Sequence, residues 1–179
     1  MAKTTNQQPS TARTVWLYAE PTPKPTYDSA LVGKWQLFIP RMAVDKVWED
    51  LANATESGEL GISAKVSGTL SNTNAHDPSS HVVILYASDW RDLDYLRRLL
   101  RGIRKAGIEQ SVYFKRDRET LAGKYSEKSK PTVSVWGSPS GDMIRTKWVG
   151  NGKTWIEVTA ENQRAVIAQI EEQEEEFRL

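Results

Sequence analysis

Alternating apolar and polar residues predict strands in the first half of the chain. The stretch 33–40, GKWQLFIP, has one face with three large apolar side chains, Trp35, Leu37 and Ile39. Its other face carries Lys34, Gln36 and Phe38. The stretch 62–69 alternates in the same way, with Lys65 between two serines on its polar face. A cation in the middle of a strand raises the question of what that face contacts.

Other patterns predict the remaining elements. The run 81–88, HVVILYAS, is apolar almost throughout, which is typical of a central strand covered on both faces. Helical spacing predicts a helix over 43–58, a second one capped by Asp89, and a last one from Thr159. The buried stripe of the second helix is expected to contain Leu93, Leu96, Leu100 and Ile103. Late strands are predicted within 111–117, 131–137, 143–150 and 154–158, with a hairpin turn at SPSGD.

This order of elements favours an α+β fold. Hairpins between the late strands indicate a largely antiparallel sheet, with about three helices packed on one face. Residues 1–28 are polar and proline-rich, and we expect a disordered or extended N-terminal arm. Within it, TVWLYA is either a short edge strand or an anchoring segment. Residues 29–179 are expected to form a single domain.

The face of the sheet away from the helices is predicted to collect cations. Because side chains alternate along a strand, the outward residues can be named without knowing the strand order. They are Lys34, Gln36, Ser63, Lys65, Tyr113, Lys115, Asp117, Ser134, Trp136, Arg145 and Lys147. The net charge of the whole chain is only +1, so these cations are a local concentration. They either form a site for an anion, above all a phosphate, or are ordinary solvent-facing strand residues.

Composition narrows the chemistry. Hydrophobic residues make up 39% of the chain and charged residues 26%, which is typical of a soluble domain with a packed core. The chain has no cysteine and two histidines, so thiol catalysis is excluded and a histidine-rich metal site is not expected. No apolar run reaches the roughly 18 residues of a membrane span, and the first residues do not resemble a secretory signal. We therefore expect a cytoplasmic protein without cofactor.

Two further features leave alternatives open. The second helix carries a basic set on its polar side, Arg91, Arg97, Arg98, Arg101, Arg104 and Lys105. This set is either a solvated helix face or a surface that contacts the backbone of a nucleic acid. The chain also has seven tryptophans, which either pack the core or supply a stacking platform for a base.

Four stretches in this order, GKWQLFIP, GISAKVS, HVVILYASD and VYFKRDRETLAGKY, resemble the basophilic-leukaemia-expressed protein family. The resemblance covers roughly residues 15–140, and the family has little assigned function. It implies a fold similar to that of the cap-binding translation initiation factor, in which helices back a curved antiparallel sheet.

A remoter similarity is to bacterial phosphothreonine lyases, which remove phosphate by β-elimination without a metal or cofactor. Their K-x-H strand resembles Lys34-Trp35-Gln36 here, and the strand lysine that removes the α-proton matches Lys65. The basic residues that clamp the phosphate match Lys115 or Arg116, together with Arg118.

Gln36 departs from the lyase pattern. It stands where those enzymes have a histidine that protonates the leaving phosphate, and glutamine cannot deliver a proton. Loss of a general acid typically slows a reaction by about 10²–10⁴-fold. Either phosphate binding remains without elimination, or Tyr113, Tyr125 or a lysine serves as the acid.

The first hypothesis is therefore a binding protein for a nucleotide or phosphopeptide. Its ligand would contact Lys34, Gln36, Lys65, Lys115 and Arg145, with Tyr113 or Trp136 stacking on a base. The alternative is a metal-free lyase with Lys65 as the base. A third hypothesis is a cap-like RNA binder, which requires two tryptophans facing each other across a slot.

Overall fold

The computed structural model describes residues 7–70, 79–118 and 133–176, and side chains up to residue 173. These residues contain eight strands and three helices. The strands are β1 Trp16–Ala19, β2 Gly33–Pro40, β3 Ser63–Ser67, β4 Ser80–Ala87, β5 Val112–Arg116, β6 Trp136–Ser138, β7 Ile144–Thr146 and β8 Ile156–Val158. The helices are α1 Arg41–Glu56, α2 Leu93–Lys105 and α3 Gln163–Glu176.

All eight strands form one antiparallel sheet in the order β1-β3-β4-β2-β5-β6-β7-β8. The predicted α+β class and antiparallel sheet are thus confirmed. The sheet does not close into a barrel, which is consistent with the curved sheet that the resemblance implies. β4 lies between β3 and β2, as expected for a central strand. The second face of β4 is only partly covered, because Val82 and Tyr86 are half-buried.

One hydrophobic core lies between the sheet and the helices. The predicted inward residues of β2 are all buried, and Trp35 packs edge-on against Phe114 with ring centroids 5.1 Å apart. Helix residues including Trp48, Leu96 and Ile170 join the same cluster. The opposite face, which we call the outward face, carries the alternate residues of each strand.

The N-terminal end of α2 differs from the sequence prediction. Asp92, not Asp89, is the N-cap, and its side chain accepts a hydrogen bond from the backbone N–H of Tyr95 at 2.9 Å. Asp89 instead accepts from the backbone N–H of Arg91 at 2.8 Å and so holds the turn that precedes the helix. Both aspartates accept hydrogen bonds from backbone N–H groups, but only Asp92 is followed directly by helical residues.

The basic residues of α2 mostly contact the protein itself. Arg101 pairs with Asp142 at 2.5 Å, and Arg97 pairs with Asp94 at 2.8 Å. Arg104 donates to the carbonyl oxygens of Ile108 and Gln110 at 2.8 and 2.7 Å. The contacts of Arg101 and Arg104 attach α2 to the turns around it, and the engaged arginines leave little support for a nucleic-acid surface on this helix.

The N-terminal segment is folded onto the domain along part of its length. TVWLYA contains the edge strand β1, in which Leu17 and Ala19 are buried. Further upstream, the Ser10 hydroxyl donates to Asp45 on α1 at 2.5 Å, and Arg41 donates to the carbonyl oxygen of Ser10 at 2.6 Å. The segment therefore contributes a strand at one edge of the outward face.

Within the described ranges, no helix has both the length and the apolar character that crossing a bilayer requires.

Candidate functional site

The strand register aligns one row of outward side chains across the whole sheet. From one edge to the other the row contains Tyr18, Lys65, Ile84, Gln36, Tyr113, Gly137, Arg145 and Glu157. A neighbouring row contains Ser63, Tyr86, Lys34 and Lys115. The alternation predicted for β2, β3 and β5 is therefore correct. Lys34, Lys65 and Lys115, which we call the lysine cluster, share this face.

Lys34 has a carboxylate partner. Its ammonium group donates to Asp117 Oδ1 at 2.5 Å, and its side chain is buried whereas that of Asp117 is half-buried. Asp117 directly follows β5 and is held there because its backbone N–H donates to the carbonyl oxygen of Val32 at 2.9 Å. The charge of Lys34 is thus balanced within the protein.

Lys65 lies in a different environment. Its ammonium nitrogen is 4.2 Å from the centroid of the Trp16 ring and 5.9 Å from that of Tyr86. Within residues 7–70, 79–118 and 133–176, it has neither a hydrogen bond nor an ion pair. Burial and the positive charge of Lys34 lower the pKa of Lys65, and Asp117 opposes this shift. Lys65 is therefore a half-buried cation that two aromatic rings, rather than a carboxylate, stabilise.

Tyr86 lies near both lysines. The Lys34 ammonium nitrogen is 5.5 Å from the centroid of the same ring. Burial, together with the negative charge of Asp117, raises the pKa of Tyr86 to about 12. Its hydroxyl consequently stays protonated at neutral pH and can donate a hydrogen bond to an anion beside the two lysines.

The remaining predicted residues of this region lie on β2 and β5. Lys115 is the cross-strand partner of Lys34 and is 4% exposed. Gln36 is half-buried, and Tyr113, its partner on β5, is 39% exposed. The amines of Lys34, Lys65 and Lys115 therefore lie at neighbouring positions of the outward face.

Arg145 is outward-facing as predicted, but it is separated from Lys65. Five strand spacings lie between β3 and β7, which corresponds to about 24 Å along the sheet. Arg145 belongs instead to a group with Tyr113, Lys147 and Trp155, which we call the Trp155 cluster. The guanidinium carbon of Arg145 is 4.6 Å from the Trp155 ring centroid, and the Lys147 ammonium nitrogen is 5.1 Å from it.

Trp155 lies over the backbone of β6. A Cβ atom added to Gly137 would come within 2.9 Å of Trp155 Cη2, so the missing side chain of Gly137 leaves room for the indole. The Tyr113 ring is adjacent, with centroids 6.2 Å apart and planes inclined by 33°. Two half-exposed cations and two aromatic rings thus meet on the outward face of β5, β6 and β7.

Of the two proposed phosphate clamps, Lys115 faces outward and Arg116 does not. Arg116 is 1% exposed and lies on the helix side. Its guanidinium carbon is 4.5 Å from the Trp148 ring centroid and 5.1 Å from that of Trp90. Arg116 is thus part of the buried packing, which corrects its assignment to the ligand site.

The prediction that Trp136 faces outward is wrong. Trp136 is the first residue of β6 and pairs with Phe114, so it lies on the helix side. It is fully buried, and its indole N–H donates to the carbonyl oxygen of Trp90 at 2.8 Å. The centroids of Trp90 and Trp136 are 6.0 Å apart, but both rings are buried and cannot form the open slot of a cap-like binder.

The last two predicted residues follow β5 in the chain. Arg118 is half-buried just beyond β5. Tyr125 lies outside the described residues.

Three contributors were not predicted. Tyr86 lies in an apolar run, so the sequence did not mark it as a site residue. It is two residues from Ile84 on β4 and therefore shares the outward face with it. Trp16 reaches Lys65 only because β1 pairs with β3, and Trp155 reaches Tyr113 across two strands. Neither long-range contact leaves a local signal in the sequence.

A groove of about 760 Å³ runs along the N-terminal segment, and it shares Trp16 and Tyr18 with the outward face. In the part of the chain that the structure describes, no three histidine, aspartate or glutamate side chains are placed to hold a metal ion.

Comparison with known protein families gives a match over the central part of the chain. Residues 28–121 match the family described as basophilic leukemia-expressed protein Bles03. The match includes β2 to β5, and with them the lysine cluster, Tyr86 and Asp117. β1 and the Trp155 residue lie outside it. The match spans more than half of the chain, and the protein therefore belongs to the Bles03 family.

Proposed function

We propose that the protein binds a phosphorylated ligand, with its phosphate group held by Lys65 on the outward face. The observation that carries this proposal is the environment of Lys65, a half-buried cation with no carboxylate partner among the described residues. A phosphate would supply the missing negative charge and accept several hydrogen bonds.

Neighbouring side chains support the same ligand class. The hydroxyl of Tyr86 stays protonated at neutral pH, so it can donate to a phosphate oxygen. Lys34 and Lys115 are cross-strand neighbours on the same face, and Asp117 pairs with Lys34. In such a half-buried setting, opposite charges attract more strongly than they do in water. The ligand is a nucleotide or a phosphopeptide.

Isothermal titration with pyrophosphate, ATP and a phosphothreonine peptide tests the proposal. We expect at least one probe to bind more tightly than millimolar. Lys65→Met should weaken that binding by about 10- to 100-fold, because a hydrogen bond to a charged group contributes about 1.5–3 kcal/mol. Lys46→Met is the matched control, since Lys46 is an exposed lysine on α1 that pairs with Asp50.

Two results would contradict the proposal. One is the absence of binding below millimolar concentration for every probe. The other is equal affinity of the unmodified protein and Lys65→Met, with both folded by circular dichroism.

A second candidate function is elimination of phosphate from phosphothreonine, and the lowered pKa of Lys65 favours it. The neutral amine of Lys65 would take the α-proton, the electron pair of the C–H bond would form the Cα–Cβ double bond, and the Cβ–O bond would break as phosphate leaves. The leaving group takes its proton from solvent or from a neighbouring acid. Gln36 cannot provide that proton, which is why we rank binding first.

Mass spectrometry distinguishes the two candidates. An active lyase would leave a dehydroamino acid, lighter by the mass of phosphoric acid, in a phosphothreonine peptide. Lys65→Met should abolish this product, whereas Lys46→Met should not. Intact peptide after prolonged incubation, at a concentration where the peptide binds, would reject the lyase and leave the binding proposal standing.

A further inference from the structure

The Trp155 cluster combines two cations with one indole. Arg145 and Lys147 both lie within 5.1 Å of the Trp155 ring centroid, and both side chains are half-buried. Like charges in adjacent positions repel each other, so their convergence on one ring is unfavourable unless something offsets it. The indole offsets part of this repulsion through cation–π attraction.

Within residues 7–70, 79–118 and 133–176, no carboxylate forms an ion pair with Arg145 or Lys147. Glu157 is the cross-strand partner of Arg145, but the two form no ion pair and Glu157 is exposed. Arg145 Nε is buried and has no hydrogen-bond partner in these ranges. The cluster therefore carries two positive charges that an anion from outside the chain can neutralise.

The aromatic rings of the cluster add a second type of contact. Tyr113 is 39% exposed, and Trp155 is half-exposed beside it. Adjacent rings of this kind offer a surface on which a planar group can stack. Arginine in such a place can hold a phosphate with two parallel N–H donors.

We propose that the Trp155 cluster is a second binding site, which takes a nucleoside monophosphate. The base stacks on Tyr113 and Trp155, and the phosphate is held by Arg145 and Lys147. About 24 Å of sheet separates Arg145 from Lys65, so this site is distinct from the phosphate site proposed above and does not depend on it.

Three small probes separate the two types of contact. AMP carries both a base and a phosphate, adenosine lacks the phosphate, and ribose 5-phosphate lacks the base. We expect AMP to bind more tightly than either part. Titration of the full chain, followed by the indole N–H resonance of Trp155 in ¹⁵N NMR spectra, reports binding at this site. The resonance is assigned from its loss in Trp155→Phe.

Variants then test the residues. Arg145→Gln with Lys147→Gln should weaken AMP binding about tenfold or more, because both charge-assisted contacts are lost. Lys147→Gln alone should give a smaller loss of affinity. It carries less risk to folding, because Lys147 follows the last residue of β7 and its side chain is only half-buried. Lys65→Met should leave the AMP-induced shift of Trp155 unchanged.

The outcomes distinguish the two proposals. If AMP leaves the Trp155 resonance unmoved, or if the double variant binds AMP as well as the unmodified chain does, the second site is refuted. If Lys65→Met abolishes AMP binding while the Arg145→Gln, Lys147→Gln double variant leaves it unchanged, the second site is refuted and the first proposal stands. If Lys65→Met has no effect on any probe while the double variant loses AMP, the first proposal fails and the second stands.

Discussion

At the scale of single residues, the environment of Lys65 is the feature on which the proposed binding depends. Lys34 and Lys65 both lie within 6 Å of the Tyr86 ring centroid, yet of these two lysines only Lys34 has a carboxylate within hydrogen-bond distance among the described residues. The pKa of Lys65 is lowered by burial and then by Lys34, and Asp117 acts in the opposite direction. The three charges are thus coupled, and the coupling can be measured.

Removing the charge of Lys34 and removing the charge of Asp117 should shift the pKa of Lys65 in opposite directions. Lys34→Met removes a positive charge, so the pKa of Lys65 should rise toward its ordinary value. Asp117→Asn removes a negative charge, so it should fall further. NMR titration of the Lys65 Cε resonance, assigned from Lys65→Arg, measures both shifts. Shifts of the same sign would contradict the coupling described here.

The lowered pKa of Lys65 determines how the free energy of unfolding depends on pH. Between the folded-state pKa of Lys65 and its ordinary value of 10.5, the unfolded chain binds more protons than the folded one. The contribution of Lys65 to the free energy of unfolding therefore increases as pH rises through that interval.

Tyr86 should behave in the opposite way at higher pH. Its folded-state pKa is raised to about 12 from an ordinary 10.0, so the folded state keeps the proton longer than the unfolded state does. Stability that is complete below pH 10 should be lost as pH rises to about 12. The loss is at most about 3 kcal/mol, because one pKa unit is 1.36 kcal/mol and solvent screens a half-buried group.

Absorbance at 295 nm during an alkaline titration measures this pKa. We expect one tyrosine to ionise near pH 12 and to be missing from the titration of Tyr86→Phe. Tyr27→Phe is the control, because Tyr27 is exposed. Identical late titration in Tyr86→Phe and the unmodified protein would be inconsistent with the assigned environment.

At the scale of elements, the alternation of apolar and polar residues predicted which side chains face outward on the early strands, but it failed for β6. β2, β3 and β5 have the predicted faces because their buried apolar residues occupy every second position. β6 does not follow the rule, since Val135 and Trp136 are consecutive and both fully buried. Val135 donates its backbone N–H to Phe114, the residue with which Trp136 pairs, and this local arrangement could not be inferred from sequence.

Capping of α2 gives a prediction at this scale. Asp92→Ala should lower the free energy of unfolding by about 1 kcal/mol, because the backbone N–H of Tyr95 loses its acceptor. Urea unfolding measures the change. Asp94→Ala is the control, since Asp94 is exposed in the first turn and forms a surface ion pair with Arg97. An equal loss in the two variants would argue against Asp92 as the cap.

At the scale of the whole molecule, the two groups on the outward face draw on different parts of the chain. The family match contains the lysine cluster, whereas Trp16 and Trp155 come from the segments on either side of it. The sequence predicted the α+β class and most cations of the face. It could not predict which aromatic rings accompany each cation, because β1 and the residue before β8 reach their partners only after distant strands pair.

The N-terminal segment supplies a test at this scale. Deleting residues 1–19 removes β1, takes buried Leu17 from the core and exposes the edge of β3. Burial of one leucine contributes about 1.5–3 kcal/mol, so the Tm should fall by roughly 3–10 °C. The exposed edge should also increase aggregation.

Deletion of residues 1–6 is the matched control, because β1, its partner strand β3, Ser10 and Asp45 all remain in the chain. Calorimetry should find its Tm close to that of the full chain. An unchanged Tm after the longer deletion would mean that β1 does not stabilise the domain.

Gly137 has a consequence for how this protein could change. Its Cα hydrogen occupies the place where any other residue would put a carbon 2.9 Å from Trp155 Cη2 and 3.1 Å from Cζ3. Even alanine would force the indole to move, while the backbone pairing of β6 could persist. A methyl group added at Gly137 would therefore disturb the second site that we propose, although every residue assigned to that site would remain in the chain.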